Sequence, residues 1–278
     1  MSRHGGRGDG RGGRRREPRG DQRGDQRGGE TAGRVVVGIH PVREVLRAGG
    51  RLDRVLVDVG RGDGGAIDEI GELAAQAKVR VERVDRDEIE HHAAGLVHQG
   101  VVALGPPFPY VGLAEVLART ERKDGPALLV ALDGITDPHN VGSIARSAEA
   151  VGADALIMPS RRAAGVTATV EKAAAGALAH LDVVRVPNLV RALKEAKQTG
   201  CWVVGLAAGT GTDIADTELL AEPLVLVIGS EGSGLAHLTG LECDLLVELP
   251  MRGSVSSLNA SVAASVALYE VLRQRDRQ

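Results

Sequence analysis

Nearly all the residues of this chain that could do chemistry fall in three stretches of its second half. The first holds Asn140 and Arg146, where a loop runs into a helix. A helix that starts near Ser143 puts Arg146 in its first turn, where a cation opposes the helix macrodipole. That placement suits a guanidinium with a task, such as meeting a phosphate or a polarised hydroxyl. On spacing alone, a plain surface arginine is the simpler reading. The second stretch is Gly229-Ser230-Glu231-Gly232-Ser233-Gly234. Its glycines let a ligand approach the backbone closely. A tight turn with an exposed glutamate is the competing reading. The order is not the G-x-G-x-x-G of dinucleotide folds. The third stretch runs through Ser254, Ser256, Ser257, Leu258 and Asn259 into the last helix. Ser256 or Ser257 could be that helix's N-cap. Asn259, in a first turn, has poor helix propensity. Its amide is therefore available to a ligand's polar edge or to the backbone of another loop. His139, His180 and His237 have no partner nucleophile that would suggest a Ser–His–Asp set. His91, His92 and His98 lack metal-ligand spacing and read as surface residues.

Short apolar runs precede each stretch. Residues 127–132, 224–228 and 245–249 are apolar, brief and bounded by turn residues, the mark of buried strands in a parallel sheet. Ligands of open α/β sheets sit outside the carboxyl ends of such strands. The strands at 224–228 and 245–249 are expected to be neighbours whose ends build one pocket, closed by a helix from residue 257 or 258 to 273. Further strands are predicted at 153–158, 181–186 and 201–206. Helices are predicted at 143–151, 167–177 and 189–197. Trp202 is expected to pack in the sheet. Small residues in the last helix (Ala260, Ser261, Ala263, Ala264, Ala267) allow close backbone approach.

An earlier unit, 34–105, alternates strands (35–37, 54–59, 79–84, 101–104) with helices (40–48, 66–77, 87–93). It carries nothing catalytic and reads as a binding module. Proline-rich breaks at 105–109 and 123–126 bracket a helix at 111–122, so 106–126 is read as a linker. Residues 127–278 form the second domain.

Residues 1–33 carry nine Arg against five acids, a net charge of +4, with eleven Gly and RG, RGG and RGDQ repeats. Such a segment buries too little apolar surface to offset its ordering entropy, so disorder is expected. Arg–Gly tracts hold RNA backbones without reading sequence; a solvated tail that aids solubility is the equal alternative. The whole chain is −3, so the body from residue 34 is about −7. Aromatic residues are only 1%, so the core must be built from Val, Leu, Ile and Ala. Cys201 and Cys243 sit in apolar runs, which fits reduced, buried thiols of a cytoplasmic protein rather than a disulfide framework. No apolar stretch reaches the ~20 residues that span a bilayer. The basic N-terminus lacks the apolar core of a secretory signal.

Asn140-x5-Arg146, the IGSEGSGL block at 228–235 and the LPMRGSVSSLNASVAASVALYE block at 249–270 resemble the three motifs of the SpoU/TrmH family. Its members are AdoMet-dependent RNA ribose 2′-O-methyltransferases of the SPOUT superfamily. The resemblance covers 127–278, and 34–105 is similar to the small ribosomal-protein-like substrate-binding domain of many members. It implies a trefoil-knotted α/β fold whose C-terminal helix threads a loop; knots are otherwise nearly absent from proteins. It also implies a homodimer with the active site at the subunit interface, without metal. On the family's motifs, Asn140 would order the site and Arg146 would act on the target 2′-hydroxyl. Glu231 would be the acidic residue of the second motif, Ser257 and Asn259 the polar residues of the third. AdoMet would lie against the backbone near Leu206, Ala207, Gly229, Leu249, Met251 and Leu258. The two-domain layout most resembles enzymes that methylate a guanosine of 23S rRNA. A tRNA target and a knotted RNA-binding protein without chemistry are the alternatives. The Arg–Gly tail is not a family hallmark.

Overall fold

This computed structural model describes residues 33–161, 163–254 and 257–277. All of the Arg/Gly-rich segment expected to be disordered, save Gly33, lies outside the described residues.

The first half runs β1 (Arg34–Val37), α1 (Ile39–Arg47), β2 (Arg54–Asp58), α2 (Ala66–Gln76), β3 (Arg80–Val84), α3 (Arg86–Ala93) and β4 (Val101–Gly105). The sheet order is β1-β4-β2-β3, with β4 antiparallel to both neighbours and β2 parallel to β3. Strand alternation divides the core between the two faces. Val36, Val55 and Val57 meet Val42, Val45 and Leu46 of α1 and Ile67, Ile70 and Ala74 of α2. Leu56 and Val102 meet Ile89 and Ala93 of α3 on the other side. The pair His91 and His92 lies on the exposed side of α3, rings edge to face at 5.4 Å.

The second half begins with α4 (Leu113–Thr120) and β5 (Leu128–Asp133), then α5 (Pro138–Ala150) and β6 (Ala155–Pro159). α6 (Ala168–Ala174), β7 (Asp182–Val186), α7 (Leu189–Gln198) and β8 (Trp202–Leu206) follow. The chain ends with β9 (Leu224–Gly229), α8 (His237–Glu242), β10 (Leu245–Val247) and α9 (Ala260–Arg275). The sheet is parallel throughout, in the order β10-β8-β9-β5-β6-β7. Leu128, Val130 and Leu132 of β5 face a core shared with α5, α6 and α9. Leu129 and Ala131 face the other layer, built by α4 and α7. Each such fully buried Val, Leu or Ile contributes about 1.5–3 kcal/mol.

Two expectations need correction. β9 and β10 are not neighbours, because β8 lies between them. The short helix α8, which the sequence did not announce, packs on α7 and carries the chain past β8 to the sheet's outer edge. Three strand ends therefore line up, not two. Trp202 does pair in β8, but as its first residue it stands at the sheet's rim and is 44% exposed.

Both ends of the second half are tied down. Arg275, near the end of α9, donates to the carbonyls of Pro126, Ala127, Leu220 and Glu222. Arg34 of β1 makes a two-pronged ion pair with Glu171 of α6, at 2.6 and 2.8 Å, and both side chains are buried. Its guanidinium lies 5.0 Å from the centre of the Phe108 ring. The Tyr110 hydroxyl accepts the Val166 N–H at 3.0 Å. The helix α4, read as linker, buries Val116 and Leu117 on the second sheet, and Val111 bridges to Val184.

Candidate active site

α5 starts five residues before the spacing had suggested. Asp137 caps it, accepting the His139 N–H at 3.0 Å, and Pro138 occupies the first helical position. Asp followed by Pro is a start signal in its own right: the carboxylate satisfies a free amide, and proline needs none. Asn140 is thus in the first turn and buried, while Arg146 is in the third turn. The macrodipole argument for Arg146 therefore falls.

The last helix starts later than expected. Its cap is Asn259, not Ser257, and Ser256 lies outside the described residues. The Asn259 carbonyl oxygen accepts the N–H groups of Ser261 and Val262 at 2.9 and 3.3 Å, and the Ser261 hydroxyl at 2.6 Å. Its amide nitrogen donates to Asn140 Oδ1 at 3.0 Å and to Glu231 Oε1. Asn140 donates to the same Glu231 oxygen at 3.2 Å, and so does the Ala260 N–H at 3.1 Å. A carboxylate over the first amides of a helix is favoured by its macrodipole. One glutamate therefore gathers α5, the β9–α8 loop and α9 at a single point.

In front of that junction is a cavity of about 330 Å³. Its walls come from the end of β8 (Leu206, Ala207, Ala208), the end of β9 (Ile228 to Gly232, with Gly234) and the β10–α9 loop (Leu249, Met251, Ser257, Leu258). Ala260 and Ala263 of α9 close it. Every residue expected to hold the cofactor lines this cavity, as do Glu231 and Ser257. Ala208 was not singled out, and Ile228, Ser230, Ala260 and Ala263 were named for their strand, loop or helix rather than as cofactor contacts. Asn140 and Asn259 stand behind the wall. Gly229 is needed for the turn: a Cβ there would fall inside the backbone of Gly234.

Arg146 is elsewhere. It is exposed, and its guanidinium has no hydrogen bond or ion pair with any described residue. It lines a second cleft, of about 290 Å³, with His40 and Glu44 of α1, Glu149 of α5, and Ala174 to Ala177 and His180. The second cleft shares no residue with the first. Among the described residues no three of His, Cys, Asp and Glu gather as a metal site. No helix among them is long and apolar enough to cross a membrane.

Residues 127–269 match the model of the SpoU rRNA methylase family, and residues 35–111 match that of the RNA 2′-O ribose methyltransferase substrate-binding domain. A Staphylococcus aureus protein named for the TrmH family of tRNA/rRNA methyltransferases is 42% identical over 241 residues, which cover 87% of this chain and 96% of that one. The structure of the SpoU methyltransferase AviRb from Streptomyces viridochromogenes, in complex with the cofactor AdoMet, is 30% identical with a TM-score of 0.73, covering 88% of this chain and 91% of that one. A structure described as an RNA 2′-O ribose methyltransferase is 26% identical with a TM-score of 0.68, covering 87% and 88%. The fold and the strand-end cavity thus define an AdoMet-dependent RNA methyltransferase. The chain belongs to the SpoU methylase family.

The cavity fits that cofactor on its own chemistry. Its volume lies in the range of small-molecule sites, about 300–1,000 Å³. Leu206, Ile228, Leu249, Met251 and Leu258 offer apolar walls to an adenine ring. The backbone at three strand ends offers donors and acceptors for its edge.

Proposed function

We propose that the enzyme methylates a ribose 2′-hydroxyl of structured RNA, with a guanosine of 23S rRNA as the first target to test. The observation that carries this reading is a guanidinium, Arg146, that has no hydrogen bond or ion pair among the described residues and is set beside a substrate-binding half whose family model is that of RNA 2′-O ribose methyltransferases. The similarity at 26% identity to a 2′-O enzyme supports the same position. A tRNA target is the second reading, since the S. aureus relative's name spans both RNAs.

AdoMet, when bound, supplies an activated methyl group on a sulfonium. The chain must then align the acceptor oxygen and stabilise the charge that grows on it. Alignment alone can supply several kcal/mol of the barrier. Leu206, Ala207, Gly229, Leu249, Met251 and Leu258 hold the donor, with Ser257 at the rim. Asn140, Glu231 and Asn259 act by fixing the three loops. Arg146 offers positive charge to the RNA phosphate and the developing alkoxide.

Because Arg146 and the cofactor cavity do not share a cleft, the working unit is proposed to be a homodimer in which the guanidinium of one protomer serves the cavity of its partner. Val262, Val266 and Tyr269 support this: they form one exposed apolar stripe along α9, at 48, 48 and 55% exposure. A knotted C-terminal passage fits the topology. β10 ends at the outer edge, and α9 then returns to pack on α5. The two halves are proposed as recognition (34–105) and transfer (127–278), acting in the cytoplasm with the Arg/Gly-rich segment as an added RNA contact.

The test is to map 2′-O-methyl sites in rRNA and tRNA from cells with and without the gene. The purified enzyme, AdoMet and the unmethylated RNA should then restore the missing mark. The 2′-hydroxyl separates RNA from DNA, so the matching DNA should accept no methyl. Labelling of a base, or of the DNA, would overturn the assignment.

A further inference from the structure

The half that matches the substrate-binding model holds a cleft of its own, to which none of the three motifs contributes. β2 leads into α2 on one face of the first sheet, and β3 leads into α3 on the other. A crevice therefore opens outside the carboxyl ends of the two strands, the place where open α/β sheets bind ligands. It measures about 1410 Å³, above the usual range of a single small-molecule site, and so suits a stretch of a larger ligand. We propose that this cleft takes an unpaired nucleotide of the RNA substrate, and that Lys172 holds the strand between the cleft and Arg146. The proposal rests on the RNA reading above and adds to it the place where the RNA is gripped.

The chemistry of the lining favours a base over a phosphate. Arg61 and Arg86 are matched by Asp58, Asp85 and Glu90, so the walls carry no excess of positive charge. Arg86 Nε donates to Glu90 at 2.8 Å. Carboxylates repel phosphate, but they accept hydrogen bonds from the exocyclic amines of bases. Gly60, Gly62 and Gly64 of one loop and Gly95 and Gly100 of another leave backbone groups bare for the edge of a base. His98 Nδ1 accepts the Gly100 N–H at 3.0 Å, so the ring offers Nε2–H as a donor. Val59 and Val97, 56% and 73% exposed, are the most exposed large apolar side chains described in this half, and both line the cleft. Sequence-specific RNA recognition works on unpaired bases, held on their faces by flat side chains such as arginine and hydrogen-bonded on their edges.

The cleft is held open by its own bonds. Arg61 Nη1 donates to the Gln99 carbonyl at 2.7 Å, and Arg83 Nη1 donates to the Arg61 carbonyl at 2.8 Å, which ties the two glycine loops together. Gly100, at φ +75°, permits this, since a Cβ on it would stand 3.0 Å from Arg61 Cδ. The α3–β4 loop also reaches the second half. A Cβ on Gly38 would stand 2.5 Å from Lys172 Nζ and 3.7 Å from both Gln99 Oε1 and the Val97 carbonyl oxygen. Lys172 of α6 is thus beside the rim of the cleft, and its ammonium has no hydrogen bond or ion pair with any described residue. Just beyond it in the chain, Ala174 and Ala175 wall the cleft of Arg146. One strand of RNA can therefore run from the nucleotide cleft over Lys172 to Arg146.

The test uses the full chain and two RNA probes: a hairpin with a randomised loop, and the same stem as a fully paired duplex. Wild type should bind the hairpin more tightly and should enrich particular loop sequences on selection. G62F fills the cleft without straining the backbone, because a Cβ on Gly62 meets no atom within 4 Å. G62F and V97S should each bind the hairpin about tenfold more weakly, the scale of one lost base contact, with the slope of log Kd against log salt unchanged. The enrichment should be lost in G62F. K172A should reduce that slope by about one, as for one lost phosphate contact. AdoMet affinity by calorimetry should hold in all three variants, which establishes that they fold. Equal wild-type affinity for hairpin and duplex overturns the proposal. So does a G62F that selects the same loops with the same affinity, or one whose salt slope falls, since the cleft would then hold phosphate. An unchanged slope in K172A overturns the path to Arg146. Methyl found on a base rather than a ribose sinks only the 2′-O reading; binding needs no methyl transfer, so the two failures separate.

Discussion

The amide of Asn259 reaches Asn140 Oδ1 at 3.0 Å, joining positions 119 residues apart. The same nitrogen also touches Glu231. One side chain thus caps α9 with its oxygen and ties two other loops with its nitrogen. Replacing Asn259 by Asp keeps the cap, because Asp is as good an N-cap as Asn. It removes the donor and sets a second carboxylate against Glu231. Two carboxylates at that distance cannot both ionise freely. N259D should therefore lose stability at pH 7 and recover part of it as pH falls towards 4. N259S, which caps without the clash, should cost only about 1 kcal/mol. Thermal melts of both variants across that pH range check this, together with AdoMet affinity at pH 7.

The role proposed for Arg146 calls for charge near the RNA rather than basicity. R146K should keep kcat within about tenfold of wild type, and R146A should lose about 10²- to 10³-fold, the usual cost of removing one stabilising donor. Because Arg146 does not line its own protomer's cofactor cavity and is proposed to meet the RNA rather than the methyl donor, AdoMet affinity should be unchanged in both. Steady-state kinetics with calorimetry on the same preparations decide it. A collapse of R146K to the R146A level would mean that the planar fork itself is required.

The stripe Val262, Val266 and Tyr269 gives a direct handle on assembly. V266D puts an unpaired charge at its centre, which a buried interface does not tolerate. Sedimentation should find wild type as a dimer and the variant as a monomer. Methyl transfer should fall with the dimer, while the half matching the substrate-binding model, residues 35–111, is untouched.

Much of the architecture was legible because parallel strands are short, apolar and bounded by glycine. The runs at 224–228 and 127–132 needed no tertiary information. What sequence could not give was order. β8 separates β9 from β10, and nothing in the apolar pattern of 245–249 says which neighbour it takes. The cofactor wall was readable because glycines and strand ends mark it. The helix starts were misread for local reasons: Asp137-Pro138 is a strong cap that a search for apolar periodicity passes over, and Asn259 outbid two serines because its amide has two more partners to satisfy. The cleft of Arg146 was invisible, since one wall, His40 and Glu44, comes from α1, about 100 residues earlier in the chain.

Both thiols should be slow to react in the folded protein. Burial, with Asp244 nearby, pushes Cys243 up to about 12, and burial also raises Cys201. At pH 8 the thiolate fraction of Cys243 is then only about 10⁻⁴. Iodoacetamide should label neither cysteine appreciably at pH 8 until denaturant is added. The folded value lies above the unfolded one, so this group's contribution to stability is complete below about pH 9 and is lost as pH rises towards 12. C243A should flatten the alkaline fall in melting temperature.

The Arg34–Glu171 pair should be costly to break and cheap to replace. Burial pushes the Glu171 carboxyl up despite the hydrogen bond and charge of Arg34. Removing the guanidinium alone, in R34M, strands a buried carboxylate and should cost about 3–5 kcal/mol. It also loses the stacking of Arg34 on Phe108. The double variant R34M/E171M removes both charges and should recover most of that loss, because well-packed apolar groups replace a buried pair with little penalty. A raised folded pKa means that stability from this group grows as pH falls. The deficit of R34M should therefore be smaller at pH 5 than at pH 7, and the double variant should show no such difference. Urea unfolding at the two pH values measures all of this. An equal deficit at both would mean that the carboxylate is not the source of the cost.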